Sequence, residues 1–258
     1  MKVLVTNDDG LDAPGLWAVV KELQEVGQVA VVAPQQEQSG VGTSVSLRQP
    51  IKVSEVKSQL TGVETYSVEG TPVDCVIIAV NSLFPGEINL VISGINRGPN
   101  IGNDIFISGT VGAALQGYLQ GISSLAISVN AYESLHFEIA AKLAALLASK
   151  VKEGLLSREI LLNVNLPNLP LEETTGIEIT TLSKQSYTGI VQEVQAGHYQ
   201  IMRATKLSNI DSHSDIEALQ RSRISITPLS FNLDNSPNNS LNHSLRRLVP
   251  LLYQGLRS

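Results

Sequence analysis

Short apolar runs alternate with amphipathic stretches along the first two thirds of the chain. Residues 3–6 form an apolar, β-branched run that ends in Asn-Asp-Asp-Gly, which predicts a buried parallel strand stopping at a turn. Pro14 then opens a stretch in which apolar residues recur at helical spacing as far as Val26, and residues 29–33 predict a second strand. These three elements form a βαβ unit.

The same alternation continues downstream and defines the expected fold class. The further predicted elements are a helix or strand at 76–83, strands at 90–92, 125–129 and 161–164, and helices at 111–119 and 137–149. Strands alternating with helices of this length imply a mostly parallel sheet covered on both faces, hence a doubly wound, Rossmann-like α/β fold. In such sheets, ligands bind at the carboxyl ends of the strands.

The pattern changes after Pro170. Residues 177–182, and residues 190–194 against 199–202, predict extended segments and a β-hairpin, and residues 224–228 predict one more strand. An Asn- and Ser-rich loop at 234–242 leads to a final amphipathic segment at 245–256. We therefore expect a single α/β domain over 1–258, with a core at about 1–170 and 222–230, a projecting hairpin region at 175–221 and a C-terminal arm at 231–258.

Composition narrows the possible partners. A hydrophobic content of 43% with 16% charged residues is typical of a protein with a globular core. The net charge of -6 and the lack of a dense run of Lys and Arg argue against binding to a nucleic acid polymer. An acidic protein can still bind a small phosphate ester if a divalent cation inverts the local charge. The composition therefore favours a metal-dependent site.

Several other classes are disfavoured by what the sequence lacks. The single cysteine, Cys75, excludes an intramolecular disulfide framework, and the apolar run after it indicates a core thiol. The N-terminal segment lacks the features of a secretory signal, and no stretch is apolar enough for a membrane span, so we expect a cytoplasmic protein with no membrane partner. P-loop, dinucleotide-fingerprint and H-E-x-x-H spacings are absent from the sequence.

Polar residues gather where the first two predicted strands end. Asp8 and Asp9 directly follow the first strand, and in a glycine turn both carboxylates can converge on one Mg²⁺ or Mn²⁺. An Asx turn that caps the next helix is the alternative. After the second strand, Ser39 and Gly40 belong to a segment of small residues that can offer N–H groups and a hydroxyl to a metal or phosphate. A plain flexible loop is the alternative there.

Two further polar segments lie later in the chain. Asn96 can supply a neutral carbonyl oxygen to a cation held by two carboxylates, although a segment so rich in Gly and Asn also suits an ordinary loop. Ser108, Gly109 and Thr110 stand at a predicted helix N-terminus, where free N–H groups and the helix dipole favour a phosphate. The alternative is an N-cap whose small residues permit close helix packing.

Taken together, the segments NDDG, AP…QSG, EGTPVDCV, SGIN…G and SGTVGAA, in this order and at these intervals, resemble the SurE survival-protein family of 5'-nucleotidases. The resemblance is specific over residues 1 to about 130 and continues more loosely through NVNLP at 163–167 and SITPL at 225–229. It implies a SurE-like α/β fold and a phosphomonoesterase that hydrolyses nucleoside 5'-monophosphates. It also implies activity on 3'-monophosphates and short polyphosphate.

The resemblance further implies the composition of the site. One divalent cation per subunit, Mg²⁺ or Mn²⁺, would be held by Asp8, Asp9, Ser39 and Asn96. Asp8, Asp9 and Asn96 would be catalytic. The residues that bind the substrate phosphate would be Asn7, Ser39, Gly40, Asn96, Ser108, Gly109 and Thr110. The family also implies a homodimer or homotetramer, with the hairpin and the C-terminal helix used in oligomerisation. The sequence departs from the family at Ile107, where a tyrosine usually precedes the Ser-Gly-Thr triplet.

These residues lead to one mechanistic hypothesis and two alternatives. We expect a metal-activated water to attack the phosphorus directly, with no phosphoenzyme and with Asp8 or Asp9 as general base. The first alternative is a catalytically weak, nucleotide-binding regulatory module of the same fold, although the presence of both aspartates and Asn96 speaks against it. The second is a structural scaffold formed by the C-terminal hairpin, which predicts assembly without metal dependence.

Overall fold

The computed structural model describes residues 1–133, 135–156, 159–185, 188–203 and 210–230. In chain order, the elements are β1 (Lys2–Thr6), α1 (Pro14–Leu23), β2 (Gln28–Pro34), β3 (Val53–Glu55), β4 (Glu64–Val68), α2 (Pro72–Ile78), β5 (Ile88–Arg97), α3 (Gly109–Leu119), β6 (Ser123–Asn130), α4 (Glu138–Lys152), β7 (Leu161–Pro167), β8 (Ile177–Ile179), β9 (Thr188–Gln195), β10 (His198–Arg203), α5 (Asp215–Gln220) and β11 (Ile224–Pro228). A π-helical turn, Ala79–Leu83, extends α2, and 3₁₀ turns occupy Gly102–Ile107 and Leu171–Glu173.

Nine of these strands form one mixed sheet in the order β3-β4-β2-β1-β5-β6-β7-β11-β8. The strands from β4 to β7 in this order pair in parallel. The antiparallel pairs, β3 with β4 and β11 with β7, lie toward the two edges of the sheet. The mostly parallel, doubly wound fold class is therefore confirmed.

Helices cover both faces of the sheet, because the buried strands are apolar on both sides. In β1, Val3 and Val5 pack into the cluster that contains the buried side chains of α1 and α4. Leu4, between them, packs into the opposite cluster with α2 residues and Ala113 of α3. Successive side chains of a strand point to opposite faces of the sheet. Strand β1 therefore packs against helices on both faces.

Cys75 lies in the second of these clusters, on α2, and is fully buried. Burial raises the pKa of its thiol far above the usual range, with the neighbouring charge of Asp74 adding to the effect. The predicted core thiol is confirmed. The segment at 76–83, for which helix and strand both remained open, is helical, because α2 begins earlier, at Pro72, behind a capping box between Thr71 and Asp74.

Three short elements were not predicted from the sequence. Strands β3 and β4 are only three and five residues long, and more than half of their residues are polar. Helix α5 has six residues and depends on Ser214, whose hydroxyl accepts a hydrogen bond from the Glu217 N–H. Elements of this length carry too few apolar positions for a periodic signal.

The predicted hairpin is present as a separate two-stranded antiparallel sheet of β9 and β10. The predicted C-terminal segment at 245–256, with the rest of the arm at 231–258, lies outside the described residues. Within the described part of the chain, none of the helices has both the length and the apolar character needed to cross a bilayer.

Candidate active site

A crevice forms where the direction of the chain through the sheet reverses. Strand β1 lies between β2 and β5, and the chain moves outward through β2 on one side before it returns to β5 on the other. The carboxyl ends of these strands therefore flank a switch point, the usual place for a ligand in an open α/β sheet. A cavity of about 310 Å³ lies here, lined by Asp8, Asp9, Glu37, Ser39, Gly40, Asn96, Arg97, Asn100, Asp104, Ile107, Ser108 and Tyr132.

Asp8 connects three of the segments that surround the cavity. Its side chain is 5% exposed, and its Oδ1 accepts a hydrogen bond from the hydroxyl of Thr110 at the start of α3. Its backbone carbonyl accepts from the N–H of Gln38, in the loop after β2, at 2.7 Å. The position of Asp8 is therefore set by the end of β1, the N-terminus of α3 and the loop after β2.

Asp9 and Asn96 bring β1 and β5 together. Arg97 directly follows Asn96 in the chain, and its backbone N–H donates to Asp9 Oδ2 at 3.1 Å. The Asn96 Nδ2 donates to the carbonyl of Gly98 at 2.7 Å, so Oδ1 is the atom of this amide that could bind a cation. The pairing of β5 with β6 shifts register between Ser93 and Asn96, an irregularity of the kind that re-aims side chains beside active sites.

On the exposed side of the cavity, Ser39 is connected to Asp9 through Glu37 and Arg97. Its hydroxyl donates to Glu37 Oε1 at 2.6 Å, and Arg97 Nη2 lies 3.3 Å from Glu37 Oε2. The same guanidinium is 4.0 Å from Asp9 Oδ1. Arg97 therefore bridges the carboxylates of Asp9 and Glu37.

The N-terminus of α3 forms another wall of the cavity. Ser108 is the N-cap, and its Oγ accepts from the backbone N–H of Val111 at 3.1 Å. The capping alternative is therefore correct for the side chain of Ser108, which also lines the cavity. The N–H of Gly42 donates to the carbonyl of Ile107 at 3.0 Å and so joins the loop after β2 to the residues before α3.

The structure brings most of the predicted site residues to this cavity. The predicted residues that line it are Asp8, Asp9, Ser39, Gly40, Asn96 and Ser108. Three others, Asn7, Gly109 and Thr110, are buried next to it but are not lining residues. Asn7 donates from Nδ2 to the carbonyl of Gly10 at 2.8 Å and stabilises the turn after β1, while its buried Oδ1 has no hydrogen-bond partner among the described residues.

Four lining residues were not proposed as site residues from the sequence: Glu37, Asn100, Asp104 and Tyr132. Ile107, noted in the sequence only as a departure from the family, also lines the cavity. Glu37, Asn100 and Asp104 lie within or beside the predicted polar segments, so they could have been included as neighbours. Tyr132 follows β6, whose carboxyl end is at the same edge of the sheet as those of β1 and β5. The rule that ligands bind at this edge was the available signal for Tyr132.

Electrostatics make this cavity unfavourable for an anion on its own. It is lined by the carboxylates of Asp8, Asp9, Glu37 and Asp104 and by one guanidinium, that of Arg97. Burial raises the pKa of Asp8 to about 6, and the bond from Thr110 only partly opposes this effect. Burial also raises the pKa of Asp9, against the lowering effect of the Arg97 N–H and charge. A cation beside both carboxylates would favour their ionised forms.

The residues fit a hard divalent cation. The side chains of Asp8, Asp9, Ser39 and Asn96 present oxygen atoms, and oxygen is the ligand type that Mg²⁺ and Mn²⁺ prefer. Within the described ranges there is no group of three or more His, Cys, Asp and Glu side chains placed to hold a metal. A site of two carboxylates, an amide and a hydroxyl is of a different composition, and it leaves positions open for water and substrate.

Comparisons with known proteins agree with this architecture. The family described as "Survival protein SurE" matches residues 3–189. A protein of Dehalococcoides mccartyi (strain CBDB1) named 5'-nucleotidase SurE is 44% identical over 242 residues, which are 92% of this chain and 91% of the relative. A protein of the same name from Citrifermentans bemidjiense is 44% identical over 240 residues, 91% of this chain and 95% of the relative. The crystal structure of the SurE protein from Aquifex aeolicus has a TM-score of 0.81 at 35% identity and covers 96% of this chain and 99% of its own.

Proposed function

We propose, since the chain belongs to the SurE survival-protein family, that it hydrolyses nucleoside 5'-monophosphates to nucleoside and phosphate in the cavity around Asp8 and Asp9. The chain is a 5'-nucleotidase, the activity in the names of relatives that are 44% identical over more than nine tenths of its length. The observation that carries the choice of site is the meeting of Asp8, Asp9, Asn96 and Ser108 at one switch-point cavity.

A divalent cation is part of the proposal. Asp8, Asp9, Ser39 and Asn96 would hold it, with Mg²⁺ or Mn²⁺ as the ion. When bound, it neutralises charge on the phosphate and lowers the pKa of a water molecule. The excess of carboxylates in the cavity supports this requirement, because a phosphate dianion would otherwise be repelled from it.

The protein's own groups position the phosphoryl group and move the proton. Asp8 or Asp9 would accept the proton of the attacking water, since both carboxylates lie in the cavity. The backbone N–H of Gly109, the first of α3, has no partner within the helix and would donate to a phosphoryl oxygen beside Ser108. The N–H of Thr110 instead donates to the carboxylate of Asp8. The loop at Gly40 borders the cavity on its exposed side. Attack is direct: the water oxygen bonds to phosphorus as the P–O bond to the nucleoside breaks, and the leaving oxygen would receive the proton that the aspartate accepted from the water.

The wider proposal includes further substrates, assembly and location. The exposed Ser39 and Gly40 leave the cavity open on one side, which supports 3'-monophosphates and short polyphosphate as further substrates. Homodimers or homotetramers would use the β9–β10 hairpin, on which Val191, Tyr199 and Ile201 are 61%, 66% and 69% exposed. A single buried, free cysteine is consistent with the cytoplasm.

Removal of divalent cations is expected to abolish phosphate release from AMP. The purified protein is assayed with Mn²⁺, after dialysis against EDTA, and again after Mn²⁺ or Mg²⁺ is restored. Because the carboxylates need a cation before they tolerate a phosphate, turnover should return only with the metal. Parallel assays with Mg²⁺, Mn²⁺, Co²⁺ and Zn²⁺ identify the preferred ion.

The same assay separates the alternatives. Unchanged phosphate release in EDTA would contradict the metal-dependent mechanism. Metal-dependent AMP binding without release of phosphate would instead indicate the regulatory module, and assembly that needs no metal, without nucleotide binding, would indicate a scaffold.

Replacing Glu37 by Gln is expected to weaken Mn²⁺ binding about 10- to 100-fold, as is typical when a group that orients a metal ligand is changed. The Ser39 hydroxyl donates its proton to Glu37, which turns the oxygen lone pairs of Ser39 away from Glu37 and makes them available to a cation. Affinity is measured by electron paramagnetic resonance of free Mn²⁺, with Glu25→Gln, an exposed residue after α1, as the control. In a Ser39→Ala background the Glu37→Gln effect should largely disappear; an equal effect in both backgrounds would contradict this role.

A further inference from the structure

A second cavity adjoins the candidate active site and shares part of its wall. Its volume is about 270 Å³, and Asp9, Arg97 and Tyr132 line both cavities. The remaining lining residues of the second cavity are Ala13, Pro14, Gly15, Glu133, Leu135 and Phe137. The first cavity is thus lined mainly by charged and polar groups, whereas the second adds aromatic and aliphatic side chains. A ligand that has both a charged end and a flat, apolar end would match the pair.

Tyr132 stands at the boundary between the two cavities, and its ring lies against the chain at Gly98. A Cβ atom placed on Gly98 would be 2.8 Å from the Tyr132 Cζ and 2.9 Å from its Oη, and Gly98 has a φ of +99°. A side chain at position 98 would therefore displace the ring. The carbonyl of Gly98 accepts from Asn96, and its N–H donates to Val129 at 3.0 Å. The backbone under the ring is thus tied both to the proposed metal ligand and to β6.

The ring of Tyr132 remains 53% exposed although it packs on Gly98. Across the second cavity, the ring of Phe137 approaches the start of α1, where its Cε1 would lie 3.1 Å from a Cβ atom on Gly15. Phe137 and Leu135 are half-buried and pack against the main core cluster. Aromatic side chains supported in this way offer flat faces at little cost in conformational entropy.

We propose that the second cavity, walled by Tyr132, Leu135 and Phe137, is the subsite for the nucleobase of the substrate, and that Tyr132 stacks on the base. The proposal rests on the proposed phosphatase function, which places the phosphate beside Asp9 and Arg97. With the base beside the shared wall of Asp9, Arg97 and Tyr132, the phosphate would stay in the first cavity. The flat faces of the base would be buried in the second cavity. Stacking on a side chain suits every base, so this subsite would favour nucleotides over other phosphate esters.

A third depression shares Gly40 and Ile107 with the first cavity and includes Phe106. Phe106 is 65% exposed. This depression shares neither Asp9 nor Arg97 with the candidate active site. Phe106 therefore provides a matched aromatic control on the side where the base is not expected.

The test compares AMP with ribose 5-phosphate, which has the same phosphate and sugar but no base. For Tyr132→Ala, kcat/KM for AMP is expected to fall about 5- to 150-fold, the usual range for loss of a stacking side chain, while kcat/KM for ribose 5-phosphate changes little. Tyr132→Phe should keep the preference for AMP, because the ring remains. Phe106→Ala should leave the ratio of the two substrates unchanged.

A binding measurement without turnover accompanies the kinetics. Isothermal titration calorimetry with adenosine should give binding to the unchanged protein and to Tyr132→Phe and much weaker binding to Tyr132→Ala. Equal kcat/KM for AMP and ribose 5-phosphate in the unchanged protein, or a loss of the ratio in Phe106→Ala instead, would overturn the subsite. If neither ester is hydrolysed, the proposed function fails, and the adenosine titration still decides whether the second cavity binds the base.

Discussion

Replacing Asp8 by Asn is expected to lower kcat for AMP hydrolysis by about 10³-fold or more. Magnitudes of 10² to 10³ accompany the loss of a single stabilising group in an active site, and this change removes both a proposed metal ligand and a candidate general base. Asp9→Asn should have a comparable effect. Steady-state phosphate release with saturating Mn²⁺ gives kcat, and Mn²⁺ affinity measured separately shows whether the metal is lost.

The control for these variants is Asp12→Asn, which removes one carboxylate from an exposed position in the same loop. Asp12→Asn should retain full activity. Unfolding does not account for a loss at Asp8, because burial already disfavours its ionised form and raises its pKa to about 6. The thermal midpoint of metal-free Asp8→Asn is therefore expected to equal or exceed that of the unchanged protein. Full activity in both Asp8→Asn and Asp9→Asn would remove the basis of the proposed site.

The sheet was predictable because its central strands are buried on both faces. Strand β1 is a continuous apolar run, and its two neighbours in the sheet, β2 and β5, carry similar runs. Short apolar runs of this kind that end at turns are typical of parallel strands buried between two helical layers. The polar residues that end them then fall at one edge, so the positions of Asp8 and Asp9 follow from the pattern and from strand direction. Asn96 lies inside β5, which continues past the predicted 90–92 to Arg97 after a shift of register.

The remainder of the site depends on contacts that a pattern does not contain. Glu37 lies outside the apolar patterns that predict strands and helices. Its partners, Ser39 and Arg97, are known only once the loop after β2 and the end of β5 are placed together. Tyr132 looks like an ordinary loop residue until Gly98 is found under its ring. The division of the chain into core, hairpin region and C-terminal arm, and the catalytic roles of the site residues, stay predictions.

The start of α3 packs so closely on Asp8 that position 109 has room only for glycine. The sequence had indicated only that small residues there permit close helix packing. A Cβ atom on Gly109 would lie 2.8 Å from the Cβ of Asp8 and 3.1 Å from its Oδ2. The first of these contacts cannot be relieved by rotating the end of the side chain, since it involves the atom attached to the Asp8 backbone. Any residue other than glycine at position 109 must therefore move either the start of α3 or the carboxylate of Asp8.

Gly109→Ala is expected to lower kcat for AMP by about 10²-fold without removing any functional group. A displacement of about 1 Å at a reacting centre has an effect of this size, and Asp8 is held against α3 by the hydroxyl of Thr110. Leu119→Ala, at the exposed C-terminal end of the same helix, is the control and should retain activity. Circular dichroism should show unchanged secondary structure in both variants. If Gly109→Ala keeps its activity and its Mn²⁺ affinity, close packing of α3 on Asp8 is not what positions the carboxylate.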